Sequence, residues 1–472
     1  MTDQWLIIPI ETKIRELYGK SLLAACAVDA GMQVILGDQR VISQSLHHLP
    51  RGIYIDKSIS RTKLAHFKRL RQMGFAIAAW CEEGLAYRDK SAYQFERISS
   101  DAVDQVAAFF AWGDAQSNDV LEAAQQAVGK THITGNPRFD LLQPALRRVF
   151  DDEVREIQSR YGRYILINTN FSRYNRFRGR EDVVNVLRAR GLLSRNDQAD
   201  YYRRSVEHLG DVFQAFAAAI PQLANAFPGL TIIVRPHPSE NHERWREELV
   251  GIGNVRVIAD GNAIPWMMGA ETVIHNACTT GVEAFLLDRP TIAYVPVEHE
   301  IFNRLTYFPN AISRIAVNLN ELLCTVGQAL SKERPFDVDM PEKRRSAAQH
   351  VANISGELAG EKIVRILAAM KESELQRPNL LRQAGARMVS FARSKAARAK
   401  RLLRPNKALH AYMDQKFPDL TFGELQDVLH KISRARGQAF ALNVTAHPRL
   451  KSCFVIQGQT SQKMANQASS SA

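Results

Sequence analysis

Two carboxylates stand side by side at Glu82-Glu83, after the apolar run 75–80 and before Gly84. Adjacent acids at the end of a buried strand repel one another. One of the pair is therefore expected to be pushed towards neutrality, where a general acid or base works best. An exposed acidic turn would read the same way. A second set, Arg235-Pro236-His237-Pro238, follows the apolar run 231–234. A histidine between two prolines has little backbone freedom, so it can aim a ring N–H at an anionic oxygen at small entropic cost; the plain alternative is a Pro-rich turn with the ring in solvent. The third set is Cys278-Thr279-Thr280-Gly281-Val282-Glu283. Thr280 and Glu283 have the spacing of a capping box, with Thr280 as the N-cap. The same helix start offers threonine hydroxyls and the amides of Gly281 and Val282 to a phosphate. Glu283, one turn on, is placed to accept hydrogen bonds from a ribose. A fourth set pairs Glu11 and Lys13, with Arg15 and Glu16 beside them, with Asn168 and Asn170. Each follows the first strand of its half, where it would face substrate across a cleft or simply form a loop or helix cap.

These side chains need a scaffold that gathers strand ends. Short apolar runs at 5–9, 33–36, 52–55, 75–80 and 108–112 alternate with helical stretches at 19–30, 63–73, 101–107 and 115–128. A Gly/Asn/Pro crossover at 131–140 leads into a second series. Its strands fall at 164–168, 231–234, 255–258, 272–275 and 291–295. A long helix is predicted over 201–227 with Pro221 as a kink, and another over 344–370 to close the second series. Alternation of this kind makes parallel sheets covered on both faces, with ligands outside the carboxyl ends of the strands. The predicted fold is α/β: two Rossmann-like doubly wound domains, 1–138 and 139–370, facing a cleft. Residues 371–472 form a basic helical extension that ends in a disordered Ser/Ala tail.

The chain has 472 residues, 45% hydrophobic and 24% charged, ordinary for a soluble globular protein. No apolar run is long enough to span a bilayer, and the N-terminus lacks the basic flank of a signal peptide. Five scattered cysteines without CxxC spacing predict reduced thiols in the cytoplasm and no metal site. The net charge of +13 asks for an anionic partner. Eleven Lys or Arg and only two acids lie between Lys371 and Lys407, so much of that excess belongs to the extension. A basic helix with Ala and Leu on its other face suits an anionic membrane surface on the inner side of the plasma membrane, or plain solvent. Nucleic acid is not expected, because Phe391 is the one aromatic between Gln383 and Pro405.

The motifs at 7–17 (IIPIETKIREL), 82–87 (EEGLAY), 133–142 (ITGNPRFDLL), 165–171 (ILINTNF), 235–240 (RPHPSE) and 275–294 resemble the bacterial surface carbohydrate biosynthesis protein family. The likeness spans about residues 5–370 and implies the GT-B glycosyltransferase architecture. Glu82-Glu83-Gly84, His237-Pro238 and Thr279-Thr280 are also similar, in the same order, to three motifs of GT-B-shaped bacterial sialyltransferases and Kdo transferases. That resemblance implies Glu83, or Glu82, as base or nucleophile. It implies Arg235, His237, Cys278, Thr279, Thr280, Gly281 and Glu283 around the nucleotide of a CMP-activated acidic sugar. The acceptor would be a glycan or a lipid-linked one, no cofactor is needed, and Arg173, Arg176, Arg178 or Arg180 would meet the sugar's own charge. The crossover and the 278–284 segment are similar as well to nucleotide-sugar 2-epimerases and to polyol-phosphate transferases. A non-catalytic scaffold for polysaccharide assembly at a membrane surface would bind no nucleotide at all.

Overall fold

The computed structural model describes residues 4–87, 89–177, 184–185, 188, 193, 196–331, 336, 340–370, 380–403 and 407–459. Arg178, Arg180 and the Ser/Ala tail lie outside them. The first series builds β1 (Trp5–Ile10), β2 (Gln33–Asp38), β3 (Gly52–Asp56), β4 (Ala76–Ala79), β5 (Ala108–Ala111) and β6 (Thr131–Ile133). The second builds β7 (Tyr164–Asn168), β8 (Thr231–Arg235), β9 (Val255–Val257), β10 (Thr272–His275), β11 (Thr291–Tyr294) and β12 (Arg314–Ala316). Within each series the strands run parallel. Two more strands, β13 (Leu442–Ala446) and β14 (Cys453–Gly458), come from the extension. The sheet orders are β13-β14-β2-β1-β3-β4-β5-β6 and β12-β11-β10-β7-β8-β9. The order reverses at β1 in one sheet and at β7 in the other, so each domain has its ligand crevice beside its first strand. This is the GT-B architecture: two Rossmann-like sheets across a cleft.

The principal helices are α1 (Lys13–Asp29), α2 (Leu64–Gln72), α3 (Asp151–Tyr161), α4 (Asn196–Ala226), α5 (Ala263–Gly269), α6 (Thr279–Leu286), α7 (Met340–His350), α8 (Ala359–Ala368), α9 (Leu380–Leu403), α10 (Lys407–Lys416) and α11 (Phe422–Ala435). α1 begins at Lys13, six residues before the predicted start, and α4 carries Pro221 inside it. The single helix predicted over 344–370 is two, α7 and α8, and both pack on elements of the first series. The crossover explains how they fit. Gly135 has φ +75°, and a Cβ there would meet the Ala352 carbonyl at 2.4 Å. Asp140 accepts the amides of Ala359 and Gly360 at 2.8 and 2.9 Å, capping α8.

The extension contributes α9, α10 and α11 and then adds the hairpin β13–β14 to the first sheet, β14 antiparallel to β2 with Phe454 opposite Leu36. Leu425, Val428, Leu429 and Ile432 of α11 are all at most 3% exposed beneath α1. Burying each such side chain is worth about 1.5–3 kcal/mol. All five cysteines are free. Among the described residues no helix is long and apolar enough to cross a membrane.

Candidate active-site cleft

Strand register assembles one wall. Asn168 of β7 pairs with Arg235 of β8 on one side and His275 of β10 on the other, so three polar residues end abreast at the switch point. Beyond them the chain is held by Glu240, which is fully buried. One carboxylate oxygen accepts from Thr169 Oγ1, Phe171 N and His237 N at 2.9–3.0 Å. The other accepts from Trp245 Nε1 at 2.9 Å and Asn175 Nδ2 at 3.3 Å. Burial raises the Glu240 pKa against the pull of these donors. Glu240 was not expected among the functional residues. The only trace of it in sequence is a Glu three residues past His237.

His237 is thereby aimed. The Ser239 amide donates to Nδ1 at 3.1 Å. Burial, with Arg15 nearby, pushes the imidazole down to about 3, so the ring is neutral and its proton sits on Nε2. Nε2–H is then the donor left for a ligand. Arg235 also lines the cleft cavity. Its guanidinium donates to the carbonyls of Asp260 and Gly261 at 2.8 and 2.9 Å, with its carbon 4.9 Å from the Trp266 ring centre. Burial lowers it to about 10. It braces the loop 259–263.

The T-x-x-E spacing is not a capping box here. Ala277 takes the left-handed region at φ +59°, its amide bonded to His275 Nδ1, and Cys278 becomes the N-cap of α6. Gly281 donates to the Cys278 carbonyl at 3.0 Å, so its amide is not free for phosphate as expected. The glycine serves packing: a Cβ there would meet the buried His275 ring at 2.5 Å. The amides of Thr279 and Thr280, in the first turn, have no intrahelical acceptor. Glu283, released from capping, is 1% exposed, and Arg138 Nη2 lies 2.5 Å from its Oε1. Burial raises the Glu283 pKa, and Arg138 opposes the rise.

One cavity joins these groups to the first domain. It is lined by Asn168, Asn170, His237, Thr279, Thr280 and Glu283 on one side. Arg15, Arg138, Glu82 and Glu83 line the other. The expected repulsion within the Glu82-Glu83 pair is overridden. Glu82 turns to accept the Trp80 indole N–H at 2.8 Å. Glu83 is open to the cleft; partial desolvation raises its pKa, but Arg15 and Arg97 outweigh it and hold the carboxyl down at about 2. Arg15 answers in kind, since Glu83, Glu16, Glu82 and Glu283 raise it against burial, and its Nε has no partner. Asn168 Nδ2 is likewise buried without a partner. Glu11 and Lys13 do not reach this cavity. Lys13 Nζ bonds Glu424 and the Asp419 carbonyl of the extension at 2.9 and 3.0 Å, and Glu11 is paired with Lys57 and Lys416.

A second cavity opens on the far side of Glu83 and His237, which line both. It adds Arg97, Arg173, Ser172 and the stacked rings of Tyr87 and Tyr93, whose centroids are 4.0 Å apart. Arg173 thus faces the cleft, within 3.4 Å of Glu96.

Two sheets with converging crevices, bridged by carboxylates from one domain and a helix N-terminus from the other, have the GT-B fold. No family model and no curated protein matches the chain. Among solved structures, the UDP-GlcNAc 2-epimerase of Methanocaldococcus jannaschii is similar at 15% identity and TM-score 0.48, over 78% of this chain and 100% of that one. The UDP-GlcNAc 2-epimerase of Neisseria meningitidis is similar at 12% identity and TM-score 0.46, over 78% and 99%. The wall teichoic acid polymerase TagF is similar at 9% identity and TM-score 0.46, over 79% and 88%. At TM-scores below 0.5 these likenesses bear on neither reaction nor substrate.

Proposed function

We propose that the protein is a glycosyltransferase that moves an acidic sugar from a CMP-activated donor to a glycan or lipid-linked acceptor in surface polysaccharide synthesis. The carrying observation is the one cavity in which Thr279, Thr280 and His237 Nε2–H oppose Arg15 and Glu83. The first-turn amides of α6 and the imidazole N–H receive the donor phosphate, with Arg15 and Arg138 neutralising charge from the facing domain. Glu283 takes the ribose hydroxyls. The second cavity holds the acceptor, with Arg97 or Arg173 meeting the sugar carboxylate. In transfer, the acceptor hydroxyl oxygen bonds to the anomeric carbon as the bond to phosphate breaks. The electron pair leaves with CMP, and Glu83 accepts the hydroxyl proton.

That last role needs a more basic carboxylate than Arg15 and Arg97 leave by themselves. A bound phosphate would draw off the charge of Arg15, the strongest cation on Glu83, and so raise its affinity for a proton. The donor would switch on its own base.

A nucleotide-sugar 2-epimerase is the second reading. Glu283, a third carboxylate in the cavity with its pKa raised by burial, favours it by supplying another acid/base group. Calorimetric titration with CMP, UDP and CDP-glycerol separates the readings. CMP is expected to bind best. No CMP binding sinks the transferase proposal, and preference for UDP or CDP-glycerol moves the assignment to an epimerase or a polyol-phosphate transferase.

A further inference from the structure

Helix α9 lies on α2 and on the turn Leu46–His48. Its inner side is committed. Gln383 donates to the Met73 carbonyl at 3.2 Å, Ser390 Oγ is 3.3 Å from His47 Nδ1, and Ala386 packs on the core. Its outer side is unusual for a helix in water. Leu381, Met388 and Phe391 share one face at helical spacing and are 81%, 72% and 50% exposed, with Leu380 beside them at 80%. A helix that meets only solvent carries polar residues at such positions.

Cations from two distant parts of the chain meet where α9 lies on α2. Arg393 of α9 is exposed and close enough to Arg69 of α2 to push its guanidinium, already lowered by burial, further down. Arg71 of α2 acts in the same way on Lys130, where Asp104 opposes it, and Arg387 of α9 on His47. Like charges held together destabilise a free surface and suit one that meets an anionic partner.

The partner must use both chemistries. A nucleic acid would satisfy the cations and leave Leu380, Leu381 and Met388 without a role, with one aromatic ring for stacking. An anionic bilayer takes the cations at its phosphates and the apolar stripe at the headgroup–acyl boundary. We propose that α9 and α2 form one docking face for an anionic phospholipid surface, with Leu381, Met388 and Phe391 entering the bilayer interface. The face is independent of the reaction in the cleft.

Sedimentation of the full-length protein with vesicles tests it. Binding is expected to phosphatidylcholine vesicles doped with phosphatidylglycerol and not to phosphatidylcholine alone. It should weaken about tenfold at about 0.5 M salt, where charges are screened within a few Å. The combined variant Leu381→Ser, Met388→Ser, Phe391→Ser should lose binding by a similar factor, and so should Arg393→Glu with Lys395→Glu. The second variant leaves the Phe391–His47 ring contact intact and so guards against a folding artefact. Equal binding to neutral vesicles, or undiminished binding by both variants, overturns the proposal. So does tighter binding to poly(U) RNA that is insensitive to the apolar variant, which would make the face a nucleic-acid site.

Discussion

Glu83 is the residue on which the transferase reading turns, and its protonation is testable without knowing the acceptor. In the free protein its carboxyl lies at about 2, held there by Arg15 and Arg97 against desolvation. The pH profile of kcat/KM reports the free enzyme and that of kcat the loaded one. Glu83 should therefore leave no acid limb in kcat/KM across the range where the protein is folded. The acid limb of kcat should appear at distinctly higher pH, because bound phosphate neutralises Arg15. Arg15→Gln should bring an acid limb into kcat/KM as well. Glu83→Gln should lower turnover about a hundredfold or more while CMP affinity changes by less than about threefold. Superimposed limbs, or a Gln variant with full turnover, would remove Glu83 from the proton transfer.

The elements show how far such a site can be read in advance. Strands with continuous apolar runs were legible, because burial on both faces leaves Val, Ile, Ala and Phe few alternatives. His237, Thr279, Thr280, Glu82 and Glu83 follow such strands, and the structure brings them to one cavity. What local pattern could not give was the set of partners that tertiary contact supplies. Glu83 looked like half of a repelling pair until Arg15 and Arg97 were placed beside it; Lys13 looked free until Glu424, 411 residues on, was placed against it. The three-residue β6 was too short to establish a period. Asp140 shows the same dependence on distant chain. Burial at the head of α8 raises its carboxyl to about 7 from 3.8, against the two amides it accepts. The folded state therefore binds a proton that the unfolded chain has already released between about pH 4 and 7, so stability should fall as pH rises through that window. Asp140→Asn should flatten that part of the denaturant-midpoint profile. An unchanged slope would show that the carboxyl is ionised in the fold.

At the scale of the whole molecule, the extension joins the two halves and is not an appendage. α9 and α11 fasten it to the first domain, while α10 crosses to the second, where Gln415 Nε2 donates to the Pro238 carbonyl at 2.5 Å and Tyr412 OH meets Ser239 Oγ at 3.3 Å. Lys416 of the same helix pairs with Glu11. α10 thus straps the loop that aims His237 to the domain that carries Glu83. Ending the chain after Met370 would remove this strap, strip β14 from β2 and uncover the face of α1 beneath α11. An open edge strand and a bare apolar helix face both promote aggregation. The truncated protein should be insoluble or melt at least about 10 °C lower, in keeping with the loss of several buried Leu and Ile side chains. Gln415→Ala with Tyr412→Phe separates the strap from the fold, since neither side chain is in the core. That variant should keep its melting temperature within about 2 °C and weaken CMP binding about three- to tenfold, consistent with two lost hydrogen bonds. Normal CMP affinity in this variant would show that the His237 loop holds its shape without α10. A soluble truncated protein with an unchanged melting temperature would show that the first domain folds without the extension.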